Sequence, residues 1–266
     1  MRTLCGEVID FLESVAPLQL QEAYDNCGLL IGIPDQVVHG VMVCLDCTEA
    51  VLDEAMAKGC NMIVSHHPPI FYGVKKITGS NMTERIIQKA IKHDLILYAI
   101  HTNLDNTLTN GVNEQIARKL GLDIDGILRP SSLTADPMVG AGLIGYFNEP
   151  LSEIQFLQRL KERMKTGIIR HSGLTNKPIL RVALCGGSGS FLIEDAMKAG
   201  VQAMVTADVK YHYFFEPDHE LLLCDIGHYE SEQFTIELLQ SLISGNFTTF
   251  AAHCTGINTN PVHYFT

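Results

Sequence analysis

Three short stretches of this 266-residue chain carry residues able to bind metal ions or move protons. They are SHHPP, with His66 and His67; HTNLD, with His101 and Asp105; and HYESE, with His228 and Glu232. Each offers imidazole nitrogen, and the second and third add a carboxylate four positions on. Imidazole and carboxylate without thiolate suit Zn, Fe, Mn or Ni in an open site better than a closed structural zinc tetrad. Taken singly, each histidine reads more simply as a hydrogen-bonded polar residue at the end of a strand. Taken together, the set exceeds what one tetrahedral ion needs. Two divalent ions bridged by a carboxylate would use it all, and such pairs activate water and clamp a substrate oxygen.

The elements that must position these residues alternate between strand and helix. Residues 41–45 read as an apolar strand and 49–58 as a helix closed at Gly59, a position that favours a left-handed cap. Strand 61–64, helix 82–93, strand 95–100 and helix 112–120 follow, the last closed by Gly121. The same order returns at 181–185, 193–199 and 203–206. A constant shift of 141 positions, the separation of Gly59 and Gly200, lays Cys44 on Cys185, Met56 on Met197 and Val64 on Val205. A second shift of 126, the separation of His93 and His219, lays HDLILYAI on HELLLCDI. The expected fold class is therefore α/β with an internal duplication. The first half is expected at 1–121 and the second at 181–266, with 122–180, including a helix near 152–165, as a short connecting module.

On this plan the histidine stretches lie just past the carboxyl ends of strands, where open α/β sheets bind ligands. Successive residues of an extended chain face opposite ways, and Pro68 keeps His67 extended, so one ring is expected for each of two ions. His228 and Glu232 fall on one face at the start of a helix, a turn apart. His101 is a ligand, a donor orienting one, or a proton shuttle.

Other features carry less. The GGSGS turn at 186–190 follows a strand, and it is either an anion cradle or a tight turn without ligand, since it lacks a complete nucleotide fingerprint. Asp208 takes the place of His67 in the overlay, and with His212 it lines the site or simply faces solvent. Histidines 39, 93, 171, 219, 253 and 263 show no spacing signal. The lone C-x-x-C, Cys44 to Cys47, lacks a second pair and reads as buried strand-end thiols. Eight cysteines without a framework spacing suit a reducing cytoplasm. A net charge of −11 argues against a general nucleic-acid binder. No apolar run is long enough to span a bilayer. Residues 1–17 read as an amphipathic helix with Val8, Ile9, Leu12 and Val15 on one stripe, not as a signal peptide.

EAYDNCGLLIG (22–32), LDCTEAVLDEA (45–55), SHHPP, HTNLDNTLTNGVNE (101–114), CGGSGS and GHYESE together resemble the Nif-three-like dinuclear-metal proteins, named in bacteria GTP cyclohydrolase 1 type 2 homologs. The resemblance covers nearly the whole chain. It implies two related, intertwined α/β halves with mixed sheets flanked by helices. It implies two metal ions held by His66, His67, Asp105, His228 and Glu232, with His101 beside them. It further implies a toroidal homohexamer, and the short 122–180 connection corresponds to the compact form without an inserted domain.

The leading expectation is a metal-dependent hydrolase acting on a nucleotide or similar small molecule, with Asp105 or Glu232 bridging the ions. The alternative is a non-catalytic protein that stores, delivers or senses metal, or regulates through interaction. An amidohydrolase barrel is disfavoured, because an early H-x-H is missing and the chain shows two halves, not eight units.

Overall fold

A computed structural model describes residues 2–132 and 134–265. In chain order the strands are β1 (Gly28–Ile31), β2 (Gly40–Asp46), β3 (Met62–His67), β4 (Ile96–Ala99), β5 (Asp123–Pro130), β6 (Gly140–Leu151), β7 (Arg170–His171), β8 (Ile179–Ser188), β9 (Ala203–Ala207), β10 (Leu222–Asp225) and β11 (Ala251–Cys254). The helices are α1 (Cys5–Val15), α2 (Glu49–Ala57), α3 (Met82–Lys92), α4 (Thr102–Asp105), α5 (Val112–Leu120), α6 (Glu153–Arg163), α7 (Ile193–Lys198), α8 (His228–Glu232) and α9 (Thr235–Asn246). The chain forms two compact units, Met1–Leu104 with Thr235–His263, and Asp105–Phe234 with Tyr264–Thr266.

The first unit holds a five-stranded sheet in the order β1-β4-β3-β2-β11. Its strands run parallel except β1, which is antiparallel to β4. Local chemistry sets the helix starts. The Thr48 side chain accepts from the Val51 amide ahead of α2, and Asn81 accepts from the Glu84 amide ahead of α3. Glu84 then gathers the amides of Thr78 and Ser80 and three side-chain donors, fixing the approach to α3. Val51, Leu52 and Ala55 of α2 and Ile86 and Ala90 of α3 share a core with Met42, Cys44, Ile63 and Leu97 of the sheet.

The second unit holds a six-stranded sheet, β5-β6-β8-β9-β10-β7. Its parallel centre, β8-β9-β10, is extended by antiparallel partners on both sides.

The duplication is visible in register and in packing. Val43 pairs with Val64, and Leu184 with Val205, each pair the 141-shifted image of the other. Val64 pairs with Tyr98 as Val205 pairs with Cys224, 126 positions beyond Tyr98. The core of the first unit contains residues 42, 44, 51, 52, 55, 60 and 63, and the core of the second contains 183, 185, 192, 193, 196, 201 and 204. Leu95 and Leu97 map likewise onto Leu221 and Leu223. Gly59 and Gly200 both take positive φ, +71° and +66°, as the cap requires.

The boundaries differ from those expected along the chain. Residues 122–180, expected as a connecting module, supply β5, β6, α6, β7 and the first residues of β8. Glycines 126, 140, 142 and 145 break the apolar alternation there. Gly140 is needed for close packing, since a Cβ on it would overlap the Arg129 carbonyl. Residues 235–263 belong with the first unit because β11 pairs with β2. Among the described residues no helix is long and apolar enough to cross a membrane.

Candidate metal centre

The structure carries His66 and His67 as the last two residues of β3 rather than just beyond it. Each imidazole leans toward a different neighbouring strand. His66 Nδ1 lies 2.8 Å from the carbonyl oxygen of Ile100, the residue after β4. His67 Nδ1 lies 2.8 Å from Asp46 Oδ1 at the end of β2, its partner in the strand register. The rings are therefore not flung to opposite faces, and their centroids are 5.0 Å apart. His101 closes the group, with its ring 5.2 Å from each of the others. One nitrogen from each of the three lies within 4.8 Å of the other two.

Asp25 holds His101. Its Oδ1 lies 2.9 Å from His101 Nδ1 and accepts from the Asn26 amide. Its Oδ2 accepts from the Thr102 amide, the Thr102 hydroxyl and the Cys27 thiol. Burial works to raise this carboxyl, but the hydrogen bonds from His101, Thr102 and Cys27 hold it well below the usual carboxylate range. Asp46 is braced as well, because its Oδ2 accepts from the Thr259 hydroxyl at 2.8 Å.

In the second unit His228 and Glu232 sit at the two ends of α8, with His228 Nε2 3.1 Å from Glu232 Oε2. A carboxylate oxygen of Asp105 lies within 4.8 Å of one from Glu232. His228 Nδ1 is 2.7 Å from Asp208 Oδ2. Burial disfavours charge on His228, yet hydrogen bonds from its ring to Asp208 and Glu232 push its pKa up to about 11. The carboxylates that favour positive charge on this ring would favour a divalent cation beside it in the same way.

The glycine turn at 186–190 has a supporting task. Gly187 takes φ +60°, and a Cβ on it would overlap Glu232 Oε1 and sit 3.3 Å from His228 Cε1. Its amide donates to Ser231 Oγ at 2.9 Å, and its carbonyl accepts from Thr206 Oγ1 at 3.0 Å. Ser231 Oγ in turn donates to the His228 carbonyl. The turn thus carries its backbone against α8 where any side chain would displace a carboxylate.

All four imidazoles share one feature: Nδ1 lies against an oxygen acceptor, which sets Nε2 as the nitrogen able to bind a metal. That donor set fits nitrogen- and oxygen-ligated divalent metals. A model of the Duf34/NIF3 (NGG1p interacting factor 3) family matches residues 3–261. The chain belongs to that family.

Relatives within and around the family agree over full length. A Clostridium acetobutylicum protein named GTP cyclohydrolase 1 type 2 homolog is 34% identical over 260 residues, which is 97% of this chain and 93% of the relative. A Staphylococcus aureus crystal structure described as a hypothetical protein superposes with a TM-score of 0.91 at 30% identity, covering 100% of both chains. A Bacillus cereus protein related to NIF3 gives 0.88 at 24% identity, covering 98% of this chain and 99% of that one, and bears on the fold alone.

Against this family background, Asp25 and Asp46 are the residues that spacing failed to single out as orienting groups, although both fall in the motifs that carry the resemblance. Besides that motif, the signal for Asp46 was its place at the end of a strand beside the SHHPP strand. Asp208, ambiguous in the sequence, does orient an imidazole. His212 is exposed on the turn Tyr211–Phe215, with its ring 5.2 Å from that of Tyr211. Cys44 and Cys47 are buried, and burial first, then the Asp46 charge, pushes the Cys47 thiol up to about 12. They are core thiols, as expected.

Proposed function

We propose that this chain is a dinuclear metal-dependent hydrolase that acts on a nucleotide or similar small molecule. His66, His67, Asp105, His228 and Glu232 are the proposed ligands of two divalent ions. The anchored Nδ1 atoms of His66, His67, His101 and His228 carry the reading, because such anchoring fixes ring direction, with Nε2 turned away from the anchor, before an ion arrives. A bound ion pair would supply Lewis acidity and lower the pKa of a water. Asp25, charged and fully inside the protein, keeps His101 directed and ready to exchange a proton through Nε2. Asp46 and Asp208 hold the rings of His67 and His228 through the same kind of contact. The name of the clostridial relative supports a cyclohydrolase-type substrate, and the resemblance supports a homohexamer.

The test is a metal assay joined to a turnover assay. Purified protein is analysed for bound metal and incubated with GTP and related nucleotides while formate and phosphate are followed. About two ions per chain, with turnover abolished in His228→Ala, is the expected result. Metal without turnover on any nucleotide would replace the hydrolase by a storage or sensing protein, and failure to bind metal on reconstitution would remove both.

A further inference from the structure

Within the first unit a cavity of about 710 Å³ opens beside His67. Its walls include Pro68, Phe71, Tyr72, Lys75 and Lys76 from the segment linking β3 to α3. Three observations about that segment point the same way. First, in a chain with 30 acidic and 19 basic residues, positions 68–83 carry two lysines and no carboxylate. Second, both carboxylates lining the cavity are engaged elsewhere. Asp46 holds His67 and Thr259, while Glu84 holds Thr78, Ser80 and Asn81. Among the described residues, neither Lys75 nor Lys76 has an ion-pair or hydrogen-bond partner in the protein. Third, Tyr72 is 80% exposed although Phe71 packs edge-on against it, with centroids 5.0 Å apart at 83°. An exposed phenol face beside two uncommitted ammonium groups is a recognition surface for an aromatic ring bearing negative charge.

The distal end of the segment is held while its tip is not. Glu84 pins residues 78–81 to the start of α3, and the Thr83 hydroxyl donates to the Pro69 carbonyl at 3.1 Å. Residues 72–76 project between these anchors, all of them exposed. Energy otherwise spent ordering the tip is thereby limited to a few residues.

We propose that this cavity binds a nucleoside phosphate, with Tyr72 stacking on the base and Lys75 and Lys76 holding the phosphates beside His67. The proposal rests on the hydrolase reading for its role, since it places the substrate at one edge of the proposed centre, but its binding chemistry stands apart from metal.

Equilibrium binding to the full-length protein separates the two. The probes are a non-hydrolysable GTP analogue, inorganic triphosphate and guanosine, each measured on wild type, Lys75→Gln/Lys76→Gln and Tyr72→Ala, with bound metal quantified in every sample. These positions are exposed, so the variants are expected to fold as wild type does, and thermal unfolding checks it. The double lysine variant should bind the analogue and triphosphate roughly tenfold or more weakly, as loss of charge-assisted contacts implies, with unchanged metal content. Tyr72→Ala should weaken the analogue and guanosine but leave triphosphate unaffected. Wild-type affinity for the analogue should also fall as salt rises. Equal affinity of wild type and the double lysine variant for the analogue, or no binding to wild type, overturns the proposal. Loss of metal binding by the wild type would instead overturn the hydrolase reading, while the lysine comparison still decides the nucleotide site.

Discussion

Replacing Asp46 by Asn tests the orienting contacts with little disturbance elsewhere. The side chain is 35% exposed and makes two bonds that matter, one with His67 Nδ1 and one from the Thr259 hydroxyl, both 2.8 Å. An asparagine can keep its oxygen toward His67 and turn its amide toward Thr259, whose hydroxyl accepts as readily as it donates. The stability cost should therefore stay below about 1 kcal/mol. What the substitution removes is the negative charge behind the imidazole. Loss of such a partner lowers metal affinity roughly 10- to 100-fold, equivalent to about 1.4–2.8 kcal/mol of binding. Asp46→Ala removes the acceptor as well and frees the ring to rotate, so its loss should be at least as large. Competitive titration with a chromophoric chelator reads the affinity, and unfolding curves in excess chelator confirm that the fold is intact. If Asp46→Asn and Asp46→Ala are both folded and bind metal as tightly as wild type, the orienting role is wrong, and with it the main support for the centre.

Gly187→Ala should both strain the backbone, by about 1 kcal/mol for a left-handed residue, and push Glu232 aside, so that metal affinity falls while secondary structure measured by circular dichroism is retained. Saturating divalent metal at one hundred times its Kd should stabilise the protein by about 2.7 kcal/mol, raising Tm by roughly 5–10 °C, and chelator should reverse it. Glu54 supplies a pH test remote from the centre. Hydrogen bonds from Lys58 and Thr255 draw its pKa from 4.5 down to about 2, against burial. Its contribution is complete above pH 4.5 and fades as pH falls toward 2. Denaturation curves of wild type and Glu54→Gln should accordingly be apart at neutral pH and converge over that interval.

Helices with capping signals were legible in the sequence nearly to the residue, and strands with apolar runs were legible in place while their ends ran further, β3 to His67 and β8 from Ile179 to Ser188. The helix expected at 112–120 is α5, Val112–Leu120, and that expected at 82–93 is α3, Met82–Lys92. The repeat was legible because nine core positions keep apolar character under two fixed shifts. Strands β5 and β6 were not, because Gly126, Gly140, Gly142 and Gly145 erase the alternation by which strands are recognised, the last three at close approaches to neighbouring chain. The histidines stood out by clustering at strand ends. Their orienting aspartates did not, because Asp25 meets His101 across 76 positions and Asp46 meets His67 across 21, separations that carry no local pattern. Residue spacing records neighbours on one element, and these contacts join different ones.

The first sheet has a consequence for the order of synthesis. Its edge strand β11 begins at Ala251, while β2, the strand it covers, is complete at Asp46. On a ribosome, the hydrogen-bonding edge of β2 is left unpaired for roughly 10–40 s, at about 5–20 residues per second. Nascent chains stalled before Ala251 should be captured by strand-binding chaperones, and emergence of β11, Ala251–Cys254, should end that capture.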